Sequence, residues 1–570
     1  MLRYFQGVLL LLLVVSPPIE ASELTIRVID QQSKSLVPAR IELLAESGEA
    51  VIAQNAVPLT RECVFAPMPE WLRQTPPKKI ENPFSGTTQH YIDGVGHYVG
   101  LESGRYSLRA FKGPEYRISE VEIELGQGES KDVHVTLERF YDAAQHGWFG
   151  ADDHLHLARL SAGQNESLGH WMSAEGLHIA NLMQMGTLTQ FGVAPQYAFG
   201  DVGAATSSDV LLLSGQEHPR THMFGHALTI GAAAPIDERQ AYALYDPTFS
   251  KAKTQGGISG FAHWGIGPAS YGLAITLPKG NVEFLEVLNF EYPSYEIWYQ
   301  LLNLGFPLAA TAGTDFPCLS NMPGRERFYT KIEGQPSRVS FIEGIREQRT
   351  FVTNGPMLSL KVDGMDIGGR KTLSKPRKVK VSADVFADSN QDRLTVIELI
   401  QNGRVISEWP SDGKIKQHVS LEVFVNEPSW FAIRVTGEKV GETTPSSVDS
   451  SLWIQAAYEN WINGAGGAEY DEYVAERTVR ESAAHTSPIY FDFVDHPGLT
   501  YLKPNESCWL QKLDELERLL TDGLFDKRLI LDWLPYSDGI SAQHLRDNTP
   551  ALLDAITHAR HVFQARLDEE

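Results

Sequence analysis

Two histidines separated by one residue, His154 and His156, are the first feature of the sequence that could do chemistry. They follow two aspartates in the stretch "FGADDHLHLARL". In a β-strand, residues i and i+2 point to the same face, so the two imidazoles would converge on one point. Converging imidazoles often begin a metal site, but a buried, hydrogen-bonded pair of histidines has the same spacing. Other residues of the chain are needed to distinguish these two interpretations.

Further potential ligands lie in the same part of the chain, where nine of the eighteen histidines fall between His146 and His263. Active sites of parallel α/β barrels lie at the carboxyl ends of strands. Imidazoles with carboxylates, and without a run of thiolates, favour Zn, Mn or Fe in a hydrolytic site. Three later phrases end predicted strands with such residues: "LLLSGQEHPRTHMFGHALTIG" with Glu217, His218, His222 and His226, "GGISGFAHWG" with His263, and "FPLAATAGTDFP" with Asp315.

The patterning of the chain predicts several domains that would position these residues. Residues 23–140 alternate polar and apolar residues, as in "ELTIRVID" and "KDVHVTLE", which predicts a β-sandwich. Residues 141–356 alternate short apolar runs with helical stretches such as "PSYEIWYQLLNLG", which predicts a barrel or a layered α/β domain. Strand patterns return over residues 357–497 and predict a second sandwich. Residues 498–570 carry apolar residues at helical spacing and predict a helical tail that packs on the body.

Composition narrows the possible partners and compartment. The 570-residue chain has a formal net charge of −23, which argues against nucleic acid and anionic membranes as partners. Residues 1–22 have the pattern of a secretory signal peptide, too short to span a bilayer, so we expect a periplasmic or extracellular protein without membrane insertion after cleavage. The three cysteines do not make a disulfide framework, and we interpret Cys318 as a small apolar filler.

Several phrases together resemble the polymerase and histidinol phosphatase (PHP) superfamily: "GWFGADDHLH", "GQE…FGHALTIG", "GFAHWG" and "AGTD". "IREQRTFVTNGPMLSLKVDG", "SWFAIRVTG" and "AHTSPIYF" are similar to its secreted branch of carbaryl-hydrolase-like metallohydrolases (CehA/McbA). The resemblance covers residues 147–493. It implies a distorted (β/α)7 barrel, flanked here by the two β-sandwiches and the helical tail, so the expected fold class is multidomain, α/β plus all-β.

The resemblance also implies a set of metal ligands. Three-metal members of the family use two groups of ligands, and this sequence lacks the second group, as seen in "LARLSAG", in residues 181–185 and at Pro317. We therefore expect two divalent ions, Zn, Mn or Fe, with Glu217 as the shared carboxylate and Asp315 as the proton acceptor for a metal-activated hydroxide. His226 is preferred to His222 because "GHALTIG" resembles the start of a family strand. The expected metal ligands are His154, His156, Glu217, His226, His263 and Asp315.

Other polar residues near these motifs have less direct interpretations. Asp152 and Asp153 fit a supporting or turn role, and Glu286 in "LEVLN" fits a structural or supporting role. The stretch "DSNQD" from residue 388 resembles a calcium loop without its glycine, and a hairpin turn is the better interpretation. Arg325 and Arg327 either hold an anionic group at the mouth of the site or lie in a solvated loop.

The resemblance implies a secreted hydrolase that cleaves a small ester, carbamate, amide or phosphoester. Loops set the substrate, so the sequence leaves the substrate, the metal identity and the oligomeric state open. Two other classes of protein compete with this hypothesis. One is a non-catalytic periplasmic or surface protein that binds glycan or peptide and retains a relic metal site. The other is a protein whose metal site is closed and purely structural.

Overall fold

The structure is a computed structural model that describes residues 21–60, 75–186, 191–221, 224–263, 270–289, 292–293, 295–318, 321–441, 481–495, 508–522 and 542–568. The expected signal peptide, apart from its last two residues, and His222 lie outside this part of the chain. The described residues form a multidomain, strand-rich protein with several sheets and helices at its C-terminal end.

The first region folds into two sheets that face each other, with strand orders β5-β1-β8 and β3-β4-β2-β6-β7. Every second residue of the first strand is buried, as the period-two pattern predicts. Leu24 and Ile26 from one sheet share a core with Ile41 and Leu43 from the other. The strands are β1 (Ser22–Asp30), β2 (Ala39–Ala45), β3 (Ile80–Asn82), β4 (Thr87–Ile92), β5 (Val95–Leu101), β6 (Gly104–Phe111), β7 (Ser119–Leu125) and β8 (Ser130–Leu137).

The central region interleaves strands with helices. Its strands are β9 (Trp148–Leu155), β10 (Ile179–Gly186), β11 (Phe191–Val193), β12 (Ala205–Ser207), β13 (Val210–Thr221), β14 (Gly225–Ile230), β15 (Ile258–Phe261), β16 (Phe284–Asn289), β17 (Tyr292–Pro293), β18 (Ala309–Ala312), β19 (Arg327–Lys331) and β20 (Thr350–Thr353). Its α-helices are α1 (Asn165–Ala174), α2 (Gly200–Gly203), α3 (Asp246–Thr254), α4 (Ser270–Thr276), α5 (Tyr295–Asn303) and α6 (Arg338–Arg346). Four 3-10 turns accompany them: Ala144–His146, Ala162–Gln164, Arg239–Ala241 and Leu277–Lys279.

Seven of these strands form a continuous series of pairings within a larger closed set of strands. β9, β10 and β13 pair in parallel, β13, β14 and β15 pair antiparallel, and β15, β16 and β18 pair in parallel again. A parallel bridge between Leu155 and Phe316 returns the chain to β9. All residues of β9, β10 and β13 are buried, which is typical of strands covered on both faces.

The second strand-rich region packs a sheet of order β22-β21-β24-β27 against strands β23, β25, β26, β28, β29 and β30 around a shared apolar core. One of its sheets is continuous with the central region, because β20 pairs antiparallel with β29. The strands are β21 (Met357–Val362), β22 (Met365–Asp366), β23 (Arg370–Leu373), β24 (Arg377–Phe386), β25 (Asp392–Gln401), β26 (Arg404–Pro410), β27 (Lys416–Val425), β28 (Ser429–Lys439), β29 (Glu481–Thr486) and β30 (Ile489–Phe493).

Two C-terminal helices, α7 (Cys508–Thr521) and α8 (Ala542–Asp568), pack on the central region. Their apolar residues belong to the same core as the central strands, and the rings of Trp509 and Phe563 stack with centroids 5.7 Å apart. Phe563 also contacts Phe306, with ring centroids 5.7 Å apart. No helix within the described ranges has the length and apolar character needed to cross a bilayer.

Candidate metal centre

The structure brings all six predicted ligands into one cluster. His154 lies in β9 and His156 directly after it, while Glu217 lies near the carboxyl end of β13. The other three come from β14, from the residue two beyond the end of β15, and from the residue three beyond the end of β18; they are His226, His263 and Asp315. Parallel strands therefore deliver most of the side chains at their carboxyl ends, where α/β proteins place their sites.

Glu217 lies at the centre of the cluster. Its Oε1 is 2.7 Å from His226 Nδ1 and 3.8 Å from both His154 Nε2 and His263 Nε2. Its Oε2 is 3.5 Å from His156 Nε2. One carboxylate oxygen thus faces three imidazoles and the other faces the fourth, so Glu217 is the residue that could be shared by two cations.

Asp315 faces three of these four imidazoles from another strand end. Its Oδ1 is 2.8 Å from His156 Nε2 and 3.5 Å from His154 Nε2, and its Oδ2 is 3.7 Å from His263 Nε2. Two overlapping groups of potential ligand atoms, each within 4.8 Å of one another, share Glu217; they are His154, His156 and Glu217, and Glu217, His226 and His263. The residues present therefore suit one or two divalent cations.

Several of these atoms are buried without a normal hydrogen bond. They include Nε2 of His154, Nε2 of His156 and both carboxylate oxygens of Glu217. Buried polar atoms in proteins nearly always have partners, so such a group points to a ligand that satisfies them together. Neutral imidazoles and charged carboxylates are the donor set of Zn, Mn and Fe sites, so the unsatisfied atoms fit a divalent metal.

The opposite ring nitrogens of the two strand-end histidines are held by the protein. His156 Nδ1 lies 3.1 Å from Met183 O, and His154 Nδ1 lies 3.2 Å from Glu286 Oε1. In the neutral ring, donation from Nδ1 leaves Nε2 deprotonated and directed at the cluster, which is how metal-binding histidines are usually oriented. Glu286 also accepts a hydrogen bond from the backbone N–H of His263 at 2.6 Å. A residue that sequence analysis assigned to support therefore orients two of the six candidate ligands.

The backbone at two candidate ligands is strained. His263 has φ 41° and Asp315 has φ 51°, a left-handed region that non-glycine residues rarely adopt. Such conformations persist only where surrounding structure enforces them, and they concentrate at functional sites. Gly313 permits the close approach of strands here, because a Cβ at that position would lie 2.4 Å from Asp153 Oδ1 and 2.5 Å from the Cβ of His154.

Asp152 ties the ends of two strands together beneath the cluster. Its carboxylate accepts hydrogen bonds from the backbone N–H groups of His154, Thr314 and Gly324, at 3.0, 3.2 and 2.9 Å. The hydroxyl of Thr314 donates a fourth, at 2.7 Å. The adjacent Asp153 is buried beside Glu286, and burial followed by the charge of Glu286 raises its pKa well above the usual value. Asp152 therefore supports the ligands rather than joining them.

Electrostatics favour charged carboxylates in the cluster. Burial raises the pKa of Glu217, but Arg220 and His226 more than offset this, so the pKa lies well below its ordinary value. Burial likewise raises the pKa of Asp315, and His154 and His156 bring it below the ordinary value. Metal ligands must be deprotonated, so both carboxylates are in the form that a cation requires.

The imidazoles are divided between neutral and charged forms. Burial lowers the pKa of His226, and burial with the neighbouring imidazoles lowers the pKa of His263 to about 4. For His154, burial lowers the pKa, but Asp315 and Glu286 raise it further, so the net pKa lies well above the ordinary value. The carboxylates that favour a proton on His154 would equally favour a metal cation in its place.

Among the residues that the structure describes, the cluster is more exposed on one side than on the other. The side chains of His226, His263 and Asp315 are 13–15% exposed, whereas those of His154, His156 and Glu217 are 0–1% exposed. A closed structural metal site would be buried on all sides, so this asymmetry favours a site that a small molecule can enter. A cavity of about 710 Å³ lies elsewhere, between the first sandwich and the central region, and is lined by Lys112, Glu115, Arg139 and His178 among others.

Arg220 lies in the cluster although no sequence pattern indicated it, and its Nε is 3.1 Å from Glu217 Oε2. His218, a potential ligand from the sequence, faces away: its Nδ1 is 3.2 Å from Gly186 O and its ring lies 5.1 Å from that of Tyr242. Successive strand residues point to opposite faces, so Glu217 and His218 cannot both enter the cluster. Pro219 in "EHPR" was the available signal, since proline within a strand marks an irregularity.

The structure differs from the expectations for Arg325, Arg327 and Cys318. Arg325 and Arg327 are not in a solvated loop: Arg325 lies over the Phe84 ring at 3.7 Å, and Arg327 is buried, donating to backbone carbonyls that include Glu175 O at 2.8 Å. Cys318 is not an apolar filler, because it is disulfide-bonded. It lies within 4.8 Å of two candidate ligands, but a disulfide sulfur cannot serve as a thiolate ligand.

The stretch from residue 388 forms a turn before β25, in which the Asp388 carboxylate accepts from the N–H of Asn390 at 3.2 Å. Asp392 pairs with Lys439 at 2.6 Å and accepts from the Ser482 hydroxyl at 2.8 Å. A carboxylate occupied by a lysine and a hydroxyl leaves no calcium loop here. The interpretation as a hairpin turn is wrong, because the turn joins β24 to β25, which lie in different sheets and pair with other strands.

Comparison with family models and with curated proteins gives no match. Among solved structures, a minor pilin of Streptococcus agalactiae is 14% identical, with 21% of this chain and 45% of that chain covered and a TM-score of 0.15. A streptococcal ancillary pilin is 13% identical, covering 24% and 38%, with a TM-score of 0.14. Phospholipase PlaB from Legionella pneumophila is 15% identical, covering 21% and 25%, with a TM-score of 0.11. The chain thus spans less than half the length of each, and these likenesses carry no functional argument.

Proposed function

We propose that this chain is a metal-dependent hydrolase of the PHP superfamily, in its secreted carbaryl-hydrolase-like (CehA/McbA) branch. The observation that carries the proposal is the convergence of three imidazole Nε2 atoms, one Nδ1 atom and two carboxylates in one partly open cluster. The order of the seven strands β9, β10, β13, β14, β15, β16 and β18 supports a distorted (β/α)7 barrel.

The six side chains would hold two divalent ions, with Glu217 shared, His154, His156 and Asp315 completing one set, and His226 and His263 the other. When bound, such ions lower the pKa of a coordinated water towards neutrality and polarise the electrophile's oxygen. Asp315 is the proton acceptor in this proposal, because its carboxylate is charged and lies on the solvent-exposed side of the cluster.

The substrate is proposed to be a small ester, carbamate, amide or phosphoester. The disulfide at Cys318 supports a periplasmic or extracellular location, because disulfides persist mainly in oxidising compartments. The competing hypothesis, a relic binding protein, would be favoured if the six candidate ligands lay far apart. The six residues lie close together. Hydrolysis is therefore the proposed function, and binding without turnover is one outcome of its test.

Elemental analysis of the purified protein, followed by an activity screen, tests this proposal. We expect up to two Zn, Mn or Fe ions per chain, and hydrolysis within a panel of nitrophenyl esters, nitrophenyl phosphates and aryl carbamates supplied with each metal. A third tightly bound metal would contradict the ligand assignment. A metal-loaded protein that cleaves no class in the panel would favour the relic binding protein.

A further inference from the structure

A second cavity, of about 160 Å³, lies where the first sandwich, the central region and the second strand-rich region meet. Its lining carries six cationic and two acidic side chains, although the whole chain has a formal net charge of −23. None of the six candidate metal ligands lines this junction cavity. The cationic residues are Arg40, Arg109, Lys112, Arg325, Arg327 and Lys439.

The first sandwich presents two of these arginines on the outer face of one sheet. Leu108 and Ala110 of β6 point into the sandwich core, so Arg109 and Phe111, which alternate with them, point away from it. Arg40 of β2 is paired with Phe111 and therefore lies on the same face. Both guanidiniums lie over the Phe111 ring, with Cζ of Arg40 and of Arg109 at 4.5 and 5.1 Å from its centroid. One ring thus holds two like charges at the cavity wall.

Each of these two guanidiniums keeps N–H groups in reserve. Arg40 Nε lies 3.1 Å from Glu175 Oε1, and its Nη1 donates to the side-chain oxygen of Gln89. Arg109 donates from Nε to a carboxylate of β7 at 3.1 Å, and its Nη1 lies 3.5 Å from Glu42 Oε1. In both arginines, Nη2 has no hydrogen-bond partner among the residues that the structure describes. Both side chains line the cavity, so their Nη2 groups are the donors available to an occupant.

The two acidic residues of the lining neutralise only two of its six cations. Glu175 pairs with Arg40 at 3.1 Å, and Asp392 pairs with Lys439 at 2.6 Å. These four side chains are at most 12% exposed, so water screens the remaining like charges around them only weakly. An anion in the cavity would relieve this repulsion.

The central region adds cationic charge from the segment that enters β19. Arg327 is buried and donates to backbone carbonyls, which satisfies its N–H groups but leaves its charge without a carboxylate. Arg325 lies over the Phe84 ring at 3.7 Å, and its Nε is 3.9 Å from Glu326 Oε1. Burial raises the pKa of the Glu326 carboxyl above its usual value, so this neighbour neutralises Arg325 incompletely.

We propose that the junction cavity binds a small, doubly charged oxyanion, of the class of inorganic sulfate and phosphate, through Nη2 of Arg40 and Nη2 of Arg109. Its volume is well below the roughly 300–1,000 Å³ of sites for drug-sized molecules, which suits an ion with its waters. Guanidinium N–H groups make short, charge-assisted hydrogen bonds to such oxyanions. Because the lining comes from all three regions, the bound anion stabilises their association and the folded chain. The proposal is independent of any hydrolytic activity.

Calorimetry with sodium sulfate, on the purified full chain at constant ionic strength, tests this proposal, and inorganic phosphate is the second probe. The variants are Arg109→Gln and Arg40→Gln. Arg105→Gln is the matched control, because Arg105 lies on the same strand and the same face, is 69% exposed and pairs with Glu124 at 3.5 Å. His156→Ala separates this site from anion binding at the candidate metal centre.

We expect wild type, Arg105→Gln and His156→Ala to bind one sulfate per chain with similar affinity. Arg109→Gln should weaken binding by roughly tenfold to a hundredfold, the range for charge-assisted hydrogen bonds, and phosphate should follow the same order. The side chain of Arg109 is 36% exposed, so this variant should fold; Arg109→Lys, which keeps the charge and loses the planar fork, should be intermediate.

Three results would overturn the proposal. The first is wild-type sulfate affinity in both Arg109→Gln and Arg40→Gln, or no sulfate binding by wild type at millimolar concentration. The second is an equal loss of affinity in Arg105→Gln, which would indicate a general effect of surface charge. The third is loss of sulfate binding in His156→Ala with binding retained in Arg109→Gln, which would assign the anion to the metal centre.

Discussion

The chain buries histidines in two contrasting settings, the candidate metal centre and the interface between the central region and the second sandwich. At the interface, His485 Nδ1 donates to Thr486 O at 2.8 Å, and its Nε2 is hydrogen-bonded to the hydroxyl of Tyr299. The rings of Tyr295 and Trp298 lie 4.5 and 5.3 Å from the imidazole. Packing and two hydrogen bonds fully account for this side chain.

In the metal centre, each strand-end histidine has only one nitrogen held by the protein. The Nε2 atoms of His154 and His156 are as deeply buried as the ring of His485, yet they face carboxylates without normal hydrogen bonds. Burial alone therefore does not separate a ligand from a core histidine. The second ring nitrogen does, because a satisfied nitrogen has no capacity left for a metal.

The largest expected effect follows from removing a ligand. His156→Ala should abolish tight binding of the metal that His154, His156 and Asp315 would hold. It should lower kcat/KM by more than about 100-fold, because loss of a residue that only supports a ligand already costs up to that factor. Metal content and activity are measured beside His134→Ala, since the His134 side chain is 62% exposed and remote from the cluster. Full metal content and full activity in His156→Ala would show that His156 is not a metal ligand, and would contradict the contrast with His485.

The interface histidine should give the opposite result. His485→Ala removes ring packing and two hydrogen bonds, so we expect the free energy of unfolding to fall by about 3 kcal/mol. Its metal content should equal that of wild type in protein that remains folded. Denaturant unfolding and elemental analysis check the two halves separately, and loss of metal without loss of stability would reverse the roles assigned here.

Glu286→Gln should show an intermediate effect on the metal centre. A neutral amide is a weaker hydrogen-bond acceptor than a carboxylate for His154 Nδ1 and for the backbone N–H of His263. The ring of His154, and with it the Nε2 atom that faces the cluster, is then less well oriented. We expect metal affinity to fall by about tenfold to a hundredfold, as for other supporting partners of metal-binding histidines. Competition with a metal indicator dye measures this, and unchanged affinity would show that Glu286 is only a packing residue.

The smallest expected effect is on the pH dependence of the free energy of unfolding, and it concerns His485. Burial lowers the pKa of His485 to about 3, whereas an unfolded histidine titrates near 6.5. The stabilising neutral form is therefore fully effective above about pH 6.5, and its contribution is lost as the pH falls from there towards 3. Between those values His485 contributes a slope of about 1.4 kcal/mol per pH unit, which His485→Gln should remove from the unfolding free energy. Equal slopes for the two proteins would contradict the assignment of a neutral buried imidazole.

The sequence predicts the six clustered residues because each lies in a short local motif in or beside a predicted strand, and the family resemblance implies that they act as one set of ligands. It could not predict Arg220 at the site. This side chain is turned inward by a β-bulge between Glu217 and Arg220, which depends on the pairing of β13 with β14. The sequence did indicate a structural or supporting role for Glu286, but not its partners, because they lie 23 and 132 residues away along the chain. Local patterns predicted many of the strands, but nothing local indicates that β20 pairs with β29.

That pairing has a consequence for how the protein can be divided. β20 is held on one side by β19 and on the other by β29, so a chain ending at residue 356 would expose one bare strand edge. Exposed edges recruit other strands and promote aggregation. Recombination at this boundary would therefore break a sheet rather than exchange a module. The smallest portable unit carrying the metal centre therefore includes the second strand-rich region, and also the two C-terminal helices that share the core of the central region.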